Sequence, residues 1–303
     1  MRPLKQGIRS FVERRPALKR LAVRLLRALE PLRGRAEQKQ RRRLQWARSC
    51  RDTQDIPKVA DAGEIQEHDG RRVQVMHNGL RVLAGTYQSE WMSEIITALR
   101  GHHEPQEERV FHEVLKHVRD DACMIELGAW WAYYSMWFLH GHPQRRAFLI
   151  EPIEERIETG RENFRINGLA ADFTVGFLGE AHAGPGGRFT DWDGTLHDVP
   201  QVDLNSFTDD KKIDFIDILH SDIQGGEQDM LASIRPMLEQ QRVGYLFVST
   251  HLDCHEPCRE LLRAVGYREI AEHSIEESFS ADGLIVAQCS RVPQVPEVAI
   301  SRR

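Results

Sequence analysis

The side chains able to do chemistry gather at the ends of apolar runs. Glu126 lies in the run from Ala122 to Leu127, Gly128 follows at once, and Glu151 closes the run from Ala147 to Ile150. A carboxylate about twenty residues past a glycine turn can accept from both hydroxyls of a ribose. Further on, His220, Ser221, Asp222 and Gln224 follow the apolar run Phe215–Leu219, and Ser249, Thr250 and His251 follow Val243–Val248. Histidine titrates near neutrality, so His220 or His251 can take the proton of a hydroxyl nucleophile, with Asp222 orienting it or gripping the substrate. A divalent ion on Asp222 and a partner would acidify the same hydroxyl; this route is not favoured.

These residues need a scaffold that brings strand ends together. The stretch Asp121–Glu151 reads as strand, glycine turn, helix, strand, acid. That order builds a crevice at the carboxyl ends of parallel strands, where open α/β sheets bind their ligands. Gly128 lets the backbone approach a ligand or take a positive φ. A nicotinamide site would need G-x-G-x-x-G, but Gly128 stands alone and Trp130 would crowd a pyrophosphate. A single-glycine turn with two acids and no diphosphate cradle suits an adenosine without phosphates, and S-adenosylmethionine is such a ligand.

The rest of the chain sets limits on this reading. Its 303 residues suffice for one large α/β domain with appendages. There is no apolar run of membrane-spanning length and no secretory leader pattern. Five scattered cysteines argue for reduced thiols in a cytoplasm, with the inner face of a membrane as a further location. Residues 1–51 hold 17 of the 41 Lys+Arg and 3 of the 46 Asp+Glu, a local balance of +14 against −19 for the remainder. The chain is a basic arm on an acidic body.

Within the arm, Leu18, Leu21, Leu25, Leu29 and Leu32 recur at helical spacing after Pro16. Residues 16–43 can meet an anionic membrane surface, dock on the acidic body, or pair with another helix in a homo-oligomer. Nucleic acid is not favoured as a partner, because the arm has few aromatics to stack on bases. Residues 52–69 read as a linker and 71–84 as a β-hairpin turning at Asn78-Gly79. An aromatic anchor (Tyr87, Trp91) and a short helix over 93–100 follow. The segment GHHEPQEE at 101–108 is a helix start that can also fold over the crevice, bringing His102, His103, Glu104 and Glu107 to the ligand. The third strand spans 172–177, and Leu178 to Glu180 at its end lie where an adenine would sit. A loop over 181–198 follows, with Trp192 its one large apolar residue. A helix runs from 227 to 238. Cys254 and Cys258 are one helical turn apart and flank His255, but read as helix residues; no metal site is expected. The last two strands form an antiparallel hairpin at the sheet edge, and 291–303 is a tail.

Taken together, the motifs resemble those of class I S-adenosylmethionine-dependent methyltransferases, and more narrowly the FkbM methyltransferase family. The family's first motif is matched by Glu126, Gly128, Ala129, Tyr133, Tyr134 and Ser135. Its second is matched by Glu151, Pro152, Asn163, Asn167 and Gly168, and its third by Asp214 to Glu227 with Asp222, Gly225, Gly226 and Glu227 in the shared places. The third-motif lysine is replaced near His220, and Gln224 stands where the family has glutamate.

The resemblance covers roughly residues 106–288. It implies a Rossmann-like, mostly parallel sheet with an antiparallel last strand, and transfer of a methyl group to a hydroxyl of a sugar, glycolipid or natural product. The expected layout is a basic helical arm (1–51), a linker, hairpin and short helix over the site (52–105), the S-adenosylmethionine-binding domain (106–290) and the tail. The expected cofactor contacts are Glu126, Gly128, Ala129, Trp130, Tyr134, Ser135, Glu151, Pro152, Glu180 and Asp222. Glu104, Glu107, Gln224 and Glu227 are expected to meet the acceptor, and His220, Asp222 and His251 to carry the chemistry. The rival reading is a non-catalytic Rossmann-like module tethered by its basic arm, which Trp130 filling the cofactor slot would mark.

Overall fold

Apolar residues run almost without interruption through five segments of the chain, the pattern of strands buried on both faces. In the computed structural model these segments form the centre of a seven-stranded sheet. The structure describes residues 38–178, 188–191 and 194–303. Glu180, Trp192 and most of the basic arm, including the leucine-spaced run after Pro16, lie outside them. Residues 46–303 make up one compact unit, and helix α1 covers 38–49. Among the described residues no helix is long and apolar enough to cross a membrane.

The sheet contains β4 (Cys123–Leu127), β5 (Arg146–Glu151), β6 (Asp172–Val175), β9 (Ile216–Ser221), β10 (Val243–Thr250), β11 (Arg268–His273) and β12 (Gly283–Gln288). The order is β11-β12-β10-β9-β4-β5-β6; β7 (Phe189–Thr190) and β8 (Leu196–His197) pair with each other separately, and α6 (Leu204–Asp210) precedes β9. β12 runs antiparallel to both of its neighbours, and the rest of the ladder from β10 to β6 is parallel. This is the expected Rossmann-like, mostly parallel sheet with its reversed last strand. The order turns back between β4 and β9, so a crevice opens at their carboxyl ends.

Register decides which side chains share a face. Glu126 of β4 sits opposite His220 of β9, which sits opposite Phe247 of β10. This row faces α3 (Pro105–Leu115) and α4 (Tyr133–Leu139), where Phe111 packs on Phe247 and Tyr134 on His220. The alternate residues Ile125, Leu127, Leu219, Leu246 and Val248 enter a second apolar cluster. Its other members include Met230 of α7 (Glu227–Ser233), Met237 and Leu238 of α8 (Arg235–Glu239) and Cys258 and Leu262 of α9 (His255–Ala264). The single helix expected over 227–238 breaks at Ile234, because Pro236 starts a new helix. All five cysteines are free and buried.

Three segments are more ordered than the sequence suggested. In the expected linker, β1 (Ile65–His68) pairs with β2 (Arg71–Val75), which pairs with β3 (Arg81–Leu83) in a small antiparallel sheet. β1 alternates between exposed and half-buried residues, so no apolar pattern announces it. The helix expected over 93–100 begins earlier, as α2 (Glu90–Ala98). The expected tail is docked: Val295 is buried, Val298 N–H donates to the Ile270 carbonyl (2.9 Å), and Ser301 N–H donates to Asp52 (2.9 Å).

The small sheet is tied to the main body by two asparagines on one face of α5 (Glu154–Ile166) and its C-cap. Asn163 accepts from Leu83 N–H and Asn167 from Arg81 N–H, each at 2.8 Å. Asn167 also donates to the Arg81 carbonyl (2.6 Å). The side-chain amides thus complete the open edge of β3 as another strand would.

Candidate active site

The turn after β4 is forced by its neighbours. Gly128 has φ +75°, and a Cβ there would lie 1.9 Å from the Asp222 carbonyl oxygen. The glycine therefore serves the close approach of two strand ends. Trp130 and Ala132 also take positive φ, of 35° and 63°, so the chain coils tightly before α4 begins. Inside this coil Glu126 accepts from Ser135 N–H (3.0 Å). Burial raises the Glu126 carboxyl, against the pull of His220 and of the Ser135 contacts.

Glu151 ends β5 beneath the same coil. Its carboxylate accepts from Trp130 N–H (3.2 Å) and Ile153 N–H (3.1 Å). Arg156 approaches it to 3.8 Å, reaches Asp191 at 3.2 Å, and lies 4.4 Å over the Trp130 ring. Glu151 is 2% exposed. Burial raises it to about 7, although Arg156 and the two amides pull the other way.

Two cavities meet at these acids. The larger, about 360 Å³, lies within the range of small-molecule sites. Its walls include Tyr87, Trp130, Trp131 and Tyr134 together with Glu104, Glu126, Glu151 and Asp222. The smaller, about 50 Å³, is an apolar slot bordered by Pro152, Phe177, Leu178, Phe189 and Ile223. Gly128, Glu151, Arg156, Asp222 and Gln224 border both.

Each histidine of the crevice is paired with acids. His220 Nε2 contacts Glu107 at 2.8 Å, and Glu107 also accepts from Ser249 Oγ (3.2 Å). Burial opposes a charge on His220, but Glu107, Glu126 and Asp222 outweigh it and the pKa is raised. His251 contacts Glu227 through Nδ1 (2.9 Å), and Asp282 (3.0 Å) and Asp222 (3.5 Å) through Nε2. There too burial is overcome, and the ring is pushed up to about 11. His103 lies between Glu104 and Glu108 and is raised to about 10 in the same way. His102 binds Glu108 and is fully buried.

These pairings change the expected roles. His251 is an imidazolium at neutral pH and cannot act as the general base. His220, clamped by Glu107, does not offer a free neutral ring either. Asp222 lines both cavities and is raised by burial and by the charges of Asp282 and Glu104, with His251 opposing. Glu151 is raised as well but gives both oxygens to backbone amides, so Asp222, with one oxygen unengaged, is the better placed of the two to take a proton. Glu227, expected at the acceptor, is 0% exposed and holds His251, Gly225 N–H and Cys254. Glu107 likewise holds His220 and Ser249, and it borders a narrow cleft beside the main cavity. Ser135 contributes its amide to Glu126 from a buried position. Glu104, Gln224, Ala129, Trp130 and Tyr134 line the larger cavity and Pro152 the slot. Among the described residues no group of three or more His, Cys, Asp or Glu is arranged to hold a metal ion.

Several residues of the site were not anticipated. Trp131 follows Trp130 in the coil, and Arg156 stands in the first turn of the helix after Glu151, a position whose signal was a lone basic residue near a buried acid. Asp282 stands immediately before β12, with no sequence signal linking it to His251. Gln88 also lines the cavity, in a backbone conformation of φ 49°.

No protein-family model matches the chain, and no curated protein matches it. Solved structures overlap it at low identity. The METTL16 methyltransferase domain aligns with a TM-score of 0.46 at 14% identity, covering 71% of this chain and 85% of that one. M. capricolum TrmK in complex with S-adenosyl-homocysteine gives 0.41 at 14% identity, covering 62% and 71%. Precorrin-6y C5,15-methyltransferase from Geobacter metallireducens gives 0.38 at 16% identity, covering 59% and 87%. The chemistry of the crevice is therefore read from its own side chains.

Proposed function

We propose that this protein transfers a methyl group from S-adenosylmethionine to a small nucleophile held in the larger cavity. The observation that carries the reading is the meeting of an apolar slot and a polar cavity at Glu151, Gly128 and Asp222. S-adenosylmethionine has the same sequence of parts: an apolar base, a ribose with two hydroxyls, and a cationic sulfonium bearing an amino-acid tail. Phe177, Leu178 and Ile223 would flank the base, Glu151 would accept from the ribose, and the acids of the larger cavity suit the positive charge. A diphosphate fits poorly, because the Trp130 amide is already given to Glu151 and four carboxylates face the space. The same acids disfavour an RNA backbone.

When bound, the cofactor supplies an activated methyl carbon. The protein's part is alignment and proton removal, and alignment accounts for much of the rate in such displacements. Asp222 takes the proton of the nucleophile. His251 and Gln224 contact its Oδ1 and fix the carboxyl group. Glu107 keeps the ends of β9 and β10 together behind the cavity. A hydroxyl of a sugar or natural product, as the family resemblance implies, is one nucleophile to be tried.

The non-catalytic alternative required Trp130 to fill the slot. Its ring instead lies on the cavity wall, edge-on to Tyr87 (5.1 Å between centroids) and under Arg156. The test is calorimetry with S-adenosylmethionine and S-adenosylhomocysteine on the wild type and on Glu151→Ala. Binding that the variant loses is expected. A folded wild type that binds neither compound would overturn the proposal.

A further inference from the structure

The carboxylates of the larger cavity are not equally committed. Glu151 gives one oxygen each to Trp130 and Ile153, whereas Glu126 gives only Oε2, to the Ser135 amide inside the coil. Glu104 and Asp222 are likewise engaged through one oxygen each. Both contacts of Glu104, from the Tyr134 hydroxyl (3.2 Å) and the His103 ring (3.2 Å), fall on Oε2. Both contacts of Asp222, from Gln224 (2.7 Å) and His251 (3.5 Å), fall on Oδ1. Glu104 Oε1 and Asp222 Oδ2 therefore remain uncommitted, in one cavity, on groups near enough for the Glu104 charge to raise Asp222.

The walls around them are aromatic. Tyr87 stacks on Trp131 with centroids 4.4 Å apart and planes 3° from parallel, and Tyr134 lies over His220 at 4.3 Å. Aromatic faces attract cations, and the protein already places Arg156 over Trp130. His220, on the same wall and 4% exposed, has a buried Nδ1 without a partner. A neutral hydroxyl brings one hydrogen and no charge to such a site. An ammonium brings up to three donors and the positive charge that two free carboxylate oxygens call for.

Building on the cofactor reading above, we infer that the methyl acceptor is an amine, which enters as its ammonium and is held between Glu104 and Asp222. The ammonium gives one proton to Asp222 Oδ2, which frees the nitrogen lone pair. The N–C bond then forms to the methyl carbon as the C–S bond breaks, and its electron pair goes to sulfur, leaving a neutral thioether. The product is the methylated ammonium, and Asp222 later passes its proton to water.

The test compares an amine with its alcohol counterpart. Binding of S-adenosylhomocysteine to the full chain is first established by calorimetry. The loaded protein is then titrated with 2-phenylethylamine and with 2-phenylethanol at neutral pH, following the fluorescence of Trp130 and Trp131. The amine is expected to bind about tenfold more tightly or better. Glu104→Gln, titrated at saturating S-adenosylhomocysteine, should erase most of that preference. Equal binding of the two probes, or a preference that survives Glu104→Gln, would overturn the amine assignment and leave the methyltransferase reading standing. Failure of S-adenosylhomocysteine itself to bind would remove both.

Discussion

Glu151 makes the cofactor assignment testable through pH. The carboxyl is buried and raised from 4.5 to about 7. Ribose hydroxyls donate hydrogen bonds, so they bind the ionised form better than the protonated one. At pH 6 roughly one Glu151 in eleven is ionised in the free protein, and at pH 8 roughly ten in eleven. Affinity for S-adenosylhomocysteine should therefore rise about tenfold from pH 6 to pH 8, levelling off above that. The bound proton should be released on binding below pH 7, so the calorimetric heat should depend on the ionisation heat of the buffer. Glu151→Gln keeps the shape and removes the titration, so its affinity should be low and nearly flat with pH. The same shift acts on stability. A raised carboxyl means that the folded state binds its proton more tightly, so the cost of burying the charge is absent below about pH 4.5 and complete above about pH 7. That cost is at most about 3 kcal/mol, and Glu151→Gln should flatten the fall of unfolding free energy across this window. A flat affinity profile in the wild type, or a slope that persists in Glu151→Gln, would refute the ribose assignment.

Further outcomes follow from the contacts around the crevice. His251→Ala leaves Asp222, Glu227 and Asp282 facing one another without their cation, and should cost about 3–5 kcal/mol by chemical denaturation; unchanged stability would mean that His251 is not the charged centre of that cluster. Asp222→Asn should still bind S-adenosylhomocysteine but lower methyl transfer about 10²–10⁴-fold once an acceptor is in hand, whereas undiminished turnover would rule out Asp222 as the base. Asn163→Ala and Asn167→Ala each strip a backbone N–H of β3 of its acceptor, and each should cost about 1–3 kcal/mol in urea unfolding. A pair of variants with wild-type midpoints would show that the small sheet is held by something else.

The sheet was legible because its strands are buried on both faces and so read as continuous apolar runs. β4, β5, β9 and β10 were all found this way, and the acid and glycine at the β4 and β5 ends followed from them. β1 was missed because its residues alternate between exposed and half-buried, with no apolar face to mark. The docked segment over 291–303 was missed because its contacts are mostly backbone and polar, made to partners as distant in sequence as Asp52. Gly128 takes the positive φ that its position allowed for, and the absence of a Cβ also makes room for the Asp222 carbonyl oxygen, a long-range contact that no local pattern announces.

The chemistry of the histidines was the least legible part, and the reason is physical. A strand end shows where a side chain stands, but a histidine acts as a base only if its neighbours leave it neutral. Here the neighbours are acids supplied by other elements. Glu107 reaches His220 across 113 residues of sequence, and Asp282 reaches His251 from the far arm of the β11–β12 hairpin. Three acids hold His251 as a cation, which in turn orients Asp222, and Glu107 engages the His220 ring through Nε2. Proton transfer thereby passes from the imidazoles to Asp222. A neutral acceptor would leave Glu104 Oε1 and Asp222 Oδ2 without a cation, whereas an ammonium would satisfy both. The electrostatics that remove the histidines from the base role are thus the same electrostatics that select an ammonium over a hydroxyl.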